Sequence, residues 1–139
     1  MIAKTILNLL ILTISLNTMA QTNTFKMTES EMKKVIKNEF KFFNKQDFVE
    51  MRKLFSDDFK SYNFPKGDSI NVANPDDLMN RYITLFKENP NCHVELLEIT
   101  FVGNKVFAKQ KITGIKEPKI AMSIFQIENF KITKKWQIL

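Results

Sequence analysis

Val94-Glu-Leu-Leu-Glu-Ile-Thr-Phe-Val-Gly-Asn-Lys-Val-Phe-Ala-Lys-Gln-Lys-Ile-Thr-Gly114 decides the architecture of this chain. Two runs rich in β-branched and aromatic residues, Val94 to Val102 and Lys105 to Gly114, flank Gly103-Asn104, a two-residue loop of the kind that closes a tight hairpin. From His93 onward the apolar residues follow a period of two, whereas upstream they recur at spacings of three and four. Two further runs, Lys119 to Ile127 and Lys131 to Leu139, flank Glu128-Asn129-Phe130. A four-strand antiparallel meander is therefore predicted, with Asn129 taking the positive-φ position of its last turn.

Working back from the meander, the chain reads as helix, helix, strand, helix. Thr28-Glu-Ser-Glu31 is a capping box, and Met32, Val35, Ile36, Phe40 and Phe43 form one apolar stripe up to Asn44. A shorter helix starts at Asp47, with Glu50 in the reciprocal capping position and Phe48, Met51, Leu54 and Phe55 inward, and Ser56-Asp-Asp58 is expected to break it. Phe59 to Phe64 reads as one strand, bounded by Pro65-Lys-Gly67. Asn74-Pro75 opens a third helix with Leu78, Met79, Tyr82, Ile83 and Phe86 along one face, and Asn89-Pro90-Asn91 stops it. Helices segregated from such a sheet make an α+β domain.

Composition narrows the classes. With 139 residues, 44% hydrophobic and 26% charged, and with only 3 Gly and 4 Pro, the chain leaves no room for a hinge between two domains. Glycines at Gly67, Gly103 and Gly114 alone allow neither a dinucleotide-binding fingerprint nor a P-loop. Residues 1–20 read as a secretory signal peptide: Lys4 supplies the charge, Thr5 to Leu16 the apolar run, and Ala20 the small residue at the cleavage site. The run is too short to cross a bilayer, so no stable membrane anchor is expected, and 21–139 forms one secreted or periplasmic domain. Its positive charge gathers at the end, where Lys105, Lys109, Lys111, Lys116, Lys119, Lys131, Lys134 and Lys135 outnumber Glu117 and Glu128. Such a face draws an anionic partner or simply protects strand edges. Cys92 has no partner for an internal disulfide, and is either a buried hydrophobe or a thiol free to link two chains. His93 beside it points to the opposite face of a strand, so the two make neither a catalytic dyad nor a metal site.

Phe43-Asn-Lys-Gln-Asp47, Leu54-Phe-Ser-Asp-Asp58-Phe59, and Ser123-Ile-Phe-Gln-Ile-Glu-Asn-Phe-Lys-Ile132 with Trp136, taken in this order, resemble the nuclear transport factor 2-like superfamily. That superfamily includes the SnoaL-like polyketide cyclases and the ketosteroid isomerases. The resemblance covers nearly all of 21–139 and implies a cone: three N-terminal helices packed on a curved antiparallel sheet, commonly dimeric, with a pocket inside. Carried over position by position, the isomerase base corresponds to Asn63, and the two donors to its enolate oxygen correspond to Glu39 and Ser123. An amide is no general base, so that chemistry is not expected here. Gln137 follows Trp136 where many relatives have an acid, and a dehydratase pair would have only His93.

What remains is a pocket. Alternation puts Ser123, Phe125 and Ile127 on one strand face, which by analogy points into the cone, with Glu39, Tyr62, Asn63, Phe64, Tyr82 and Phe86 closing it. Such a lining suits a small apolar ligand, and the same side chains also suffice to fill the cone as core. Met122, Ile124 and Gln126 then face outward, where a partly apolar surface fits a dimer. The expected function is binding of a small apolar or amphipathic molecule without catalysis, cofactor, metal or nucleic acid. The alternatives are an isomerase, cyclase or dehydratase using Glu39, His93, Tyr62 or Tyr82, and an interaction module with a basic face.

Overall fold

The computed structural model describes residues 26–64 and 70–138. The expected signal peptide and the Pro65-Lys-Gly67 loop lie outside the described residues. Three helices, α1 (Glu29–Asn44), α2 (Phe48–Arg52) and α3 (Pro75–Glu88), accompany six strands. These are β1 (Phe55–Asn63), β2 (Ile70–Val72), β3 (His93–Val102), β4 (Lys105–Thr113), β5 (Lys119–Glu128) and β6 (Lys131–Ile138). The sheet order is β2-β1-β6-β5-β4-β3, so the expected meander forms four contiguous strands of a curved, unclosed six-stranded sheet.

Each helix begins as its capping residues dictate. Thr28 Oγ1 accepts from Glu31 N at 3.2 Å, while Glu31 accepts in return from Thr28 N at 2.8 Å. Asn74 accepts from Asp77 N and Pro75 occupies the first turn of α3, where no N–H is needed. Asp47 caps α2 by accepting from Glu50 N, but the predicted reciprocal bond is replaced by an ion pair from Glu50 to Lys53. Gln46, at φ 56°, makes the turn between α1 and α2. The predicted stripe of α1 is buried, and Glu39 is buried within it.

Two differences from the sequence reading have physical causes. Phe55 belongs to β1 and not to the second helix, so Ser56-Asp57-Asp58 lie within a strand. Phe55 and Phe59 are both fully buried with ring centroids 4.8 Å apart, and they pin this strand to the core. Between Phe55 and Lys60 the ladder to β6 jumps from Ile132 to Lys134, and within this irregularity Asp57 pairs with Arg52 at 2.8 Å. The second difference is one parallel pair, β1 with β6, in an otherwise antiparallel sheet, with the short β2 added at the edge. No hairpin joins β1 to β6, so nothing local forces them antiparallel.

The turns behave as their residues allow. Gly103 has φ +60°, and both Asn129 and Phe130 take positive φ at 49° and 61° in the last turn. Gly114 meets a stricter demand, because a Cβ there would stand 1.8 Å from the Asn91 carbonyl oxygen. The Asn44 side chain then ties α1 to the edge strand, donating to Val94 O and accepting from Val94 N, both at 2.8 Å. This clamp fixes the wall of the cavity described next.

Candidate functional site

A cavity of about 220 Å³ opens between α1, α3 and the concave face of β3, β4 and β6. Phe40, Phe43, Leu85, Val94, Ile112 and Ile115 give it mainly apolar walls. Phe43 and Tyr82 meet edge to face, with ring centroids 5.0 Å apart. Three polar groups from three elements converge in this apolar surrounding: Glu39 of α1, Tyr82 of α3 and Lys135 of β6.

Lys135 Nζ donates to Glu39 Oε1 at 3.4 Å and to the Tyr82 hydroxyl at 3.1 Å. It also stands 4.9 Å from the centroid of the Phe125 ring, a cation–π distance. The Lys135 and Glu39 side chains are 7% and 5% exposed, so this ion pair is interior and not a surface contact. Burial alone disfavours the ammonium, but the Glu39 carboxylate and the Tyr82 oxygen outweigh it and hold Lys135 above its ordinary range. Burial likewise raises the Tyr82 phenol, with Lys135 opposing and Glu39 adding to the shift. At neutral pH the cluster is thus an ammonium and a protonated phenol beside an acid.

Hydrogen-bonding capacity remains. An ammonium has three donors, and two of those of Lys135 are used among the described residues. The Tyr82 hydroxyl accepts from Lys135 and keeps its own proton to donate. Gln110 and Gln137 add two amides to the lining, Lys119 stands exposed at the rim, and buried Cys92 contributes a thiol that burial pushes up.

The structure brings together only some of the residues expected from sequence. Glu39 and Tyr82 line the cavity. Phe86, Phe125 and Ile127 are buried behind it as core, Phe86 against the Phe43 ring at 5.0 Å. Ser123 faces inward as alternation predicts, but its hydroxyl is enclosed without a hydrogen-bond partner among the described residues. Tyr62, Asn63 and Phe64 are not in the lining: Tyr62 alternates with the inward Ser61 and stacks on Trp136, centroids 5.6 Å apart, while Asn63 and Phe64 are exposed. His93 is exposed at the start of β3, with Cys92 buried beside it.

Lys135 is the site residue that sequence reading missed, having been counted with Lys134 on a basic solvated face. The cause is a β-bulge. Ile127 faces Ile132 but Gln126 faces Lys134, so Thr133 is the extra residue, and the alternation of β6 changes phase there. Counting by twos from buried Ile132 turns Lys134 inward; the bulge turns Lys135 inward instead. The available signal was Glu39, a carboxylate inside the helical stripe that demands a buried cation. The remaining lysines of the meander are partly balanced, since Lys111 sits opposite Glu95 and Lys109 opposite Glu98. Among the described residues no group of three His, Cys, Asp or Glu is placed to hold a metal ion.

No family model and no curated protein matches the chain by sequence. Solved structures do match by shape. A cystatin-fold protein from Novosphingobium aromaticivorans superposes with a TM-score of 0.70 at 18% identity, over 76% of this chain and 96% of that one. An NTF2-like protein from Cytophaga hutchinsonii gives 0.63 at 14%, over 76% and 87%. A candidate polyketide cyclase from Bacillus cereus gives 0.67 at 22%, over 81% and 78%. At these identities the likeness concerns architecture and leaves chemistry to the site. With three helices laid on a curved, unclosed sheet and neighbours of this kind, the chain has the α+β cone of the nuclear transport factor 2-like fold.

Proposed function

We propose that residues 21–139, exported and freed of a leader after Ala20, form a dimeric binding domain that takes a small amphipathic molecule into the cavity without transforming it. The observation that carries this reading is the Lys135–Glu39–Tyr82 cluster set in an apolar cavity of about 220 Å³. A few convergent polar groups in an apolar, concave wall are the usual make-up of a ligand site. A fold needing only a filled core has no use for a buried ion pair, since well-packed apolar residues of similar volume are as stabilising or more so. Binding without catalysis is supported by the pairing, because the carboxylate among the described lining residues, Glu39, is engaged by an ammonium instead of standing free as a base. The half-buried outward residues Met122, Ile124 and Trp136 support the dimer, and the apolar run of residues 5–16 supports export.

Native mass spectrometry of protein recovered from the periplasm of an expressing Gram-negative host tests the three parts together. The expected spectrum is a dimer of 21–139 carrying small-molecule mass that is lost on activation. A ligand-free species whose Cys92 reacts with a thiol reagent at the same rate before and after adding host metabolite extract defeats the binding reading. Retention of residues 1–20 defeats export, and a monomer at micromolar concentration defeats the dimer.

A second reading, a proton-transfer enzyme of isomerase or cyclase type, is favoured by one observation: an acid and two donors meet in one cavity. Deuterium exchange from solvent into a bound carbonyl compound, abolished in Glu39→Gln, is the result that would establish it.

A further inference from the structure

We infer that the cavity selects an uncharged head group that both accepts and donates hydrogen bonds, carried on a body about the size of one aromatic ring, and that it discriminates against carboxylates and organic cations. This rests on the binding reading above and specifies its ligand class. Volume sets the first limit. About 220 Å³ is the space of roughly seven waters, enough to seat a single substituted ring against the cluster while any larger body projects from the mouth. The walls agree, because Phe40, Phe43 and Tyr82 offer aromatic faces and edges to a flat ring.

Charge sets the second limit. The buried cluster holds one cation and one anion 3.4 Å apart, and so is neutral as a unit. A carboxylate that approached the remaining N–H of Lys135 would bring a second negative charge close to Glu39 in a poorly solvated site. An organic cation that approached Glu39 would meet Lys135 in the same way. Neither has a compensating charge at that depth, because the remaining charged lining residue, Lys119, lies exposed at the rim. A neutral group escapes both penalties. Its acceptor takes the third donor of Lys135 and the hydroxyl proton of Tyr82, and its donor takes the Glu39 oxygen not held by Lys135. A primary carboxamide or a hydroxyl beside a carbonyl has this pattern.

Benzamide, benzoate, benzamidine and toluene share a ring and nearly share a shape, and they differ in the charge and hydrogen bonding of the head. Titrated at pH 7 into the purified 21–139 chain and followed by chemical-shift changes at cavity residues, benzamide is expected to bind at least tenfold more tightly than the other three. Glu39→Gln, which leaves the cluster positive, is expected to shift preference toward benzoate, and Lys135→Gln, which leaves it negative, toward benzamidine. Benzoate or benzamidine binding wild-type protein as tightly as benzamide overturns the head-group inference while leaving the cavity a binding site. Absence of cavity shifts with all four at millimolar concentration overturns the binding reading with it. Should either variant fail to fold, the order among the four probes on wild-type protein decides alone.

Discussion

An ammonium group taken out of water loses a large hydration energy, and Lys135 is tolerated in the interior because Glu39, Tyr82 and the face of Phe125 surround it with compensating charge. The pair is therefore sensitive to asymmetry. Lys135→Met strands the Glu39 carboxylate, and chemical denaturation is expected to show a loss of about 3–5 kcal/mol. Adding Glu39→Leu removes the stranded charge, and the double variant is expected to recover most of that loss while binding none of the polar probes. The pair also fixes an alkaline limit. Lys135 and Tyr82 both bind their protons more tightly folded than unfolded, starting from ordinary values of 10.5 and 10.0. In that situation stability is complete below the unfolded values and falls as pH rises through the folded ones. Urea midpoints are expected to be insensitive to these two groups between pH 7 and 9 and to fall above about pH 10, less so in the Lys135→Met, Glu39→Leu, Tyr82→Phe triple variant. Glu39 entered from the sequence only through its correspondence to an isomerase donor position, whereas its partner, separated by 96 positions, did not enter as a site residue at all.

At the scale of elements, what could be read locally was read well. The Thr28 capping box, the Asp47 N-cap, Pro75 and the Gly103-Asn104 hairpin act within a few residues, so their signals survive in a single sequence. The meander follows from period-two runs and tight turns for the same reason. The bulge at Thr133 leaves no such mark, because it depends on how two ladders, one on each side of β6, are accommodated at once. Ser56-Asp57-Asp58 misled for a related reason: polar residues signal a break only where a strand is not held by flanking aromatics such as Phe55 and Phe59. Deletion of Thr133 tests the role of the bulge. Strict alternation from Ile132 then places Lys134 and Trp136 outside and Lys135 inside, the faces they already occupy beside the bulge. The expected outcome is a retained cooperative denaturation transition, as with Thr133→Ser, which keeps the residue count and is expected to leave the transition within about 1 kcal/mol of wild type; loss of the transition in the deletion alone overturns the reading of Thr133 as a residue outside the β5 ladder.

For the molecule as a whole, the sheet order places β6, the last of its strands, in the interior between β1 and β5. Its antiparallel partner β5 is one turn away, but its parallel partner β1 is more than seventy residues away, as the pairing of Ser61 with Lys135 shows. That pairing spans a separation no local signal covers, which explains why the sequence announced the meander but not the parallel junction. The junction also orders events in time. Closing a long loop carries an entropic cost before any contact across it is gained, so the β3 to β6 meander has the advantage in forming and β1 docks onto it afterward. Phe59 is buried where β1 meets the core, and on this order of events its contacts form late. Phe59→Leu is expected to speed unfolding several-fold in stopped-flow experiments while changing the refolding rate little. The cavity takes its remaining walls from α1 and α3, so a chain in which the meander alone has formed has no binding site, and ligand present during refolding is expected to slow unfolding without hastening the formation of the sheet.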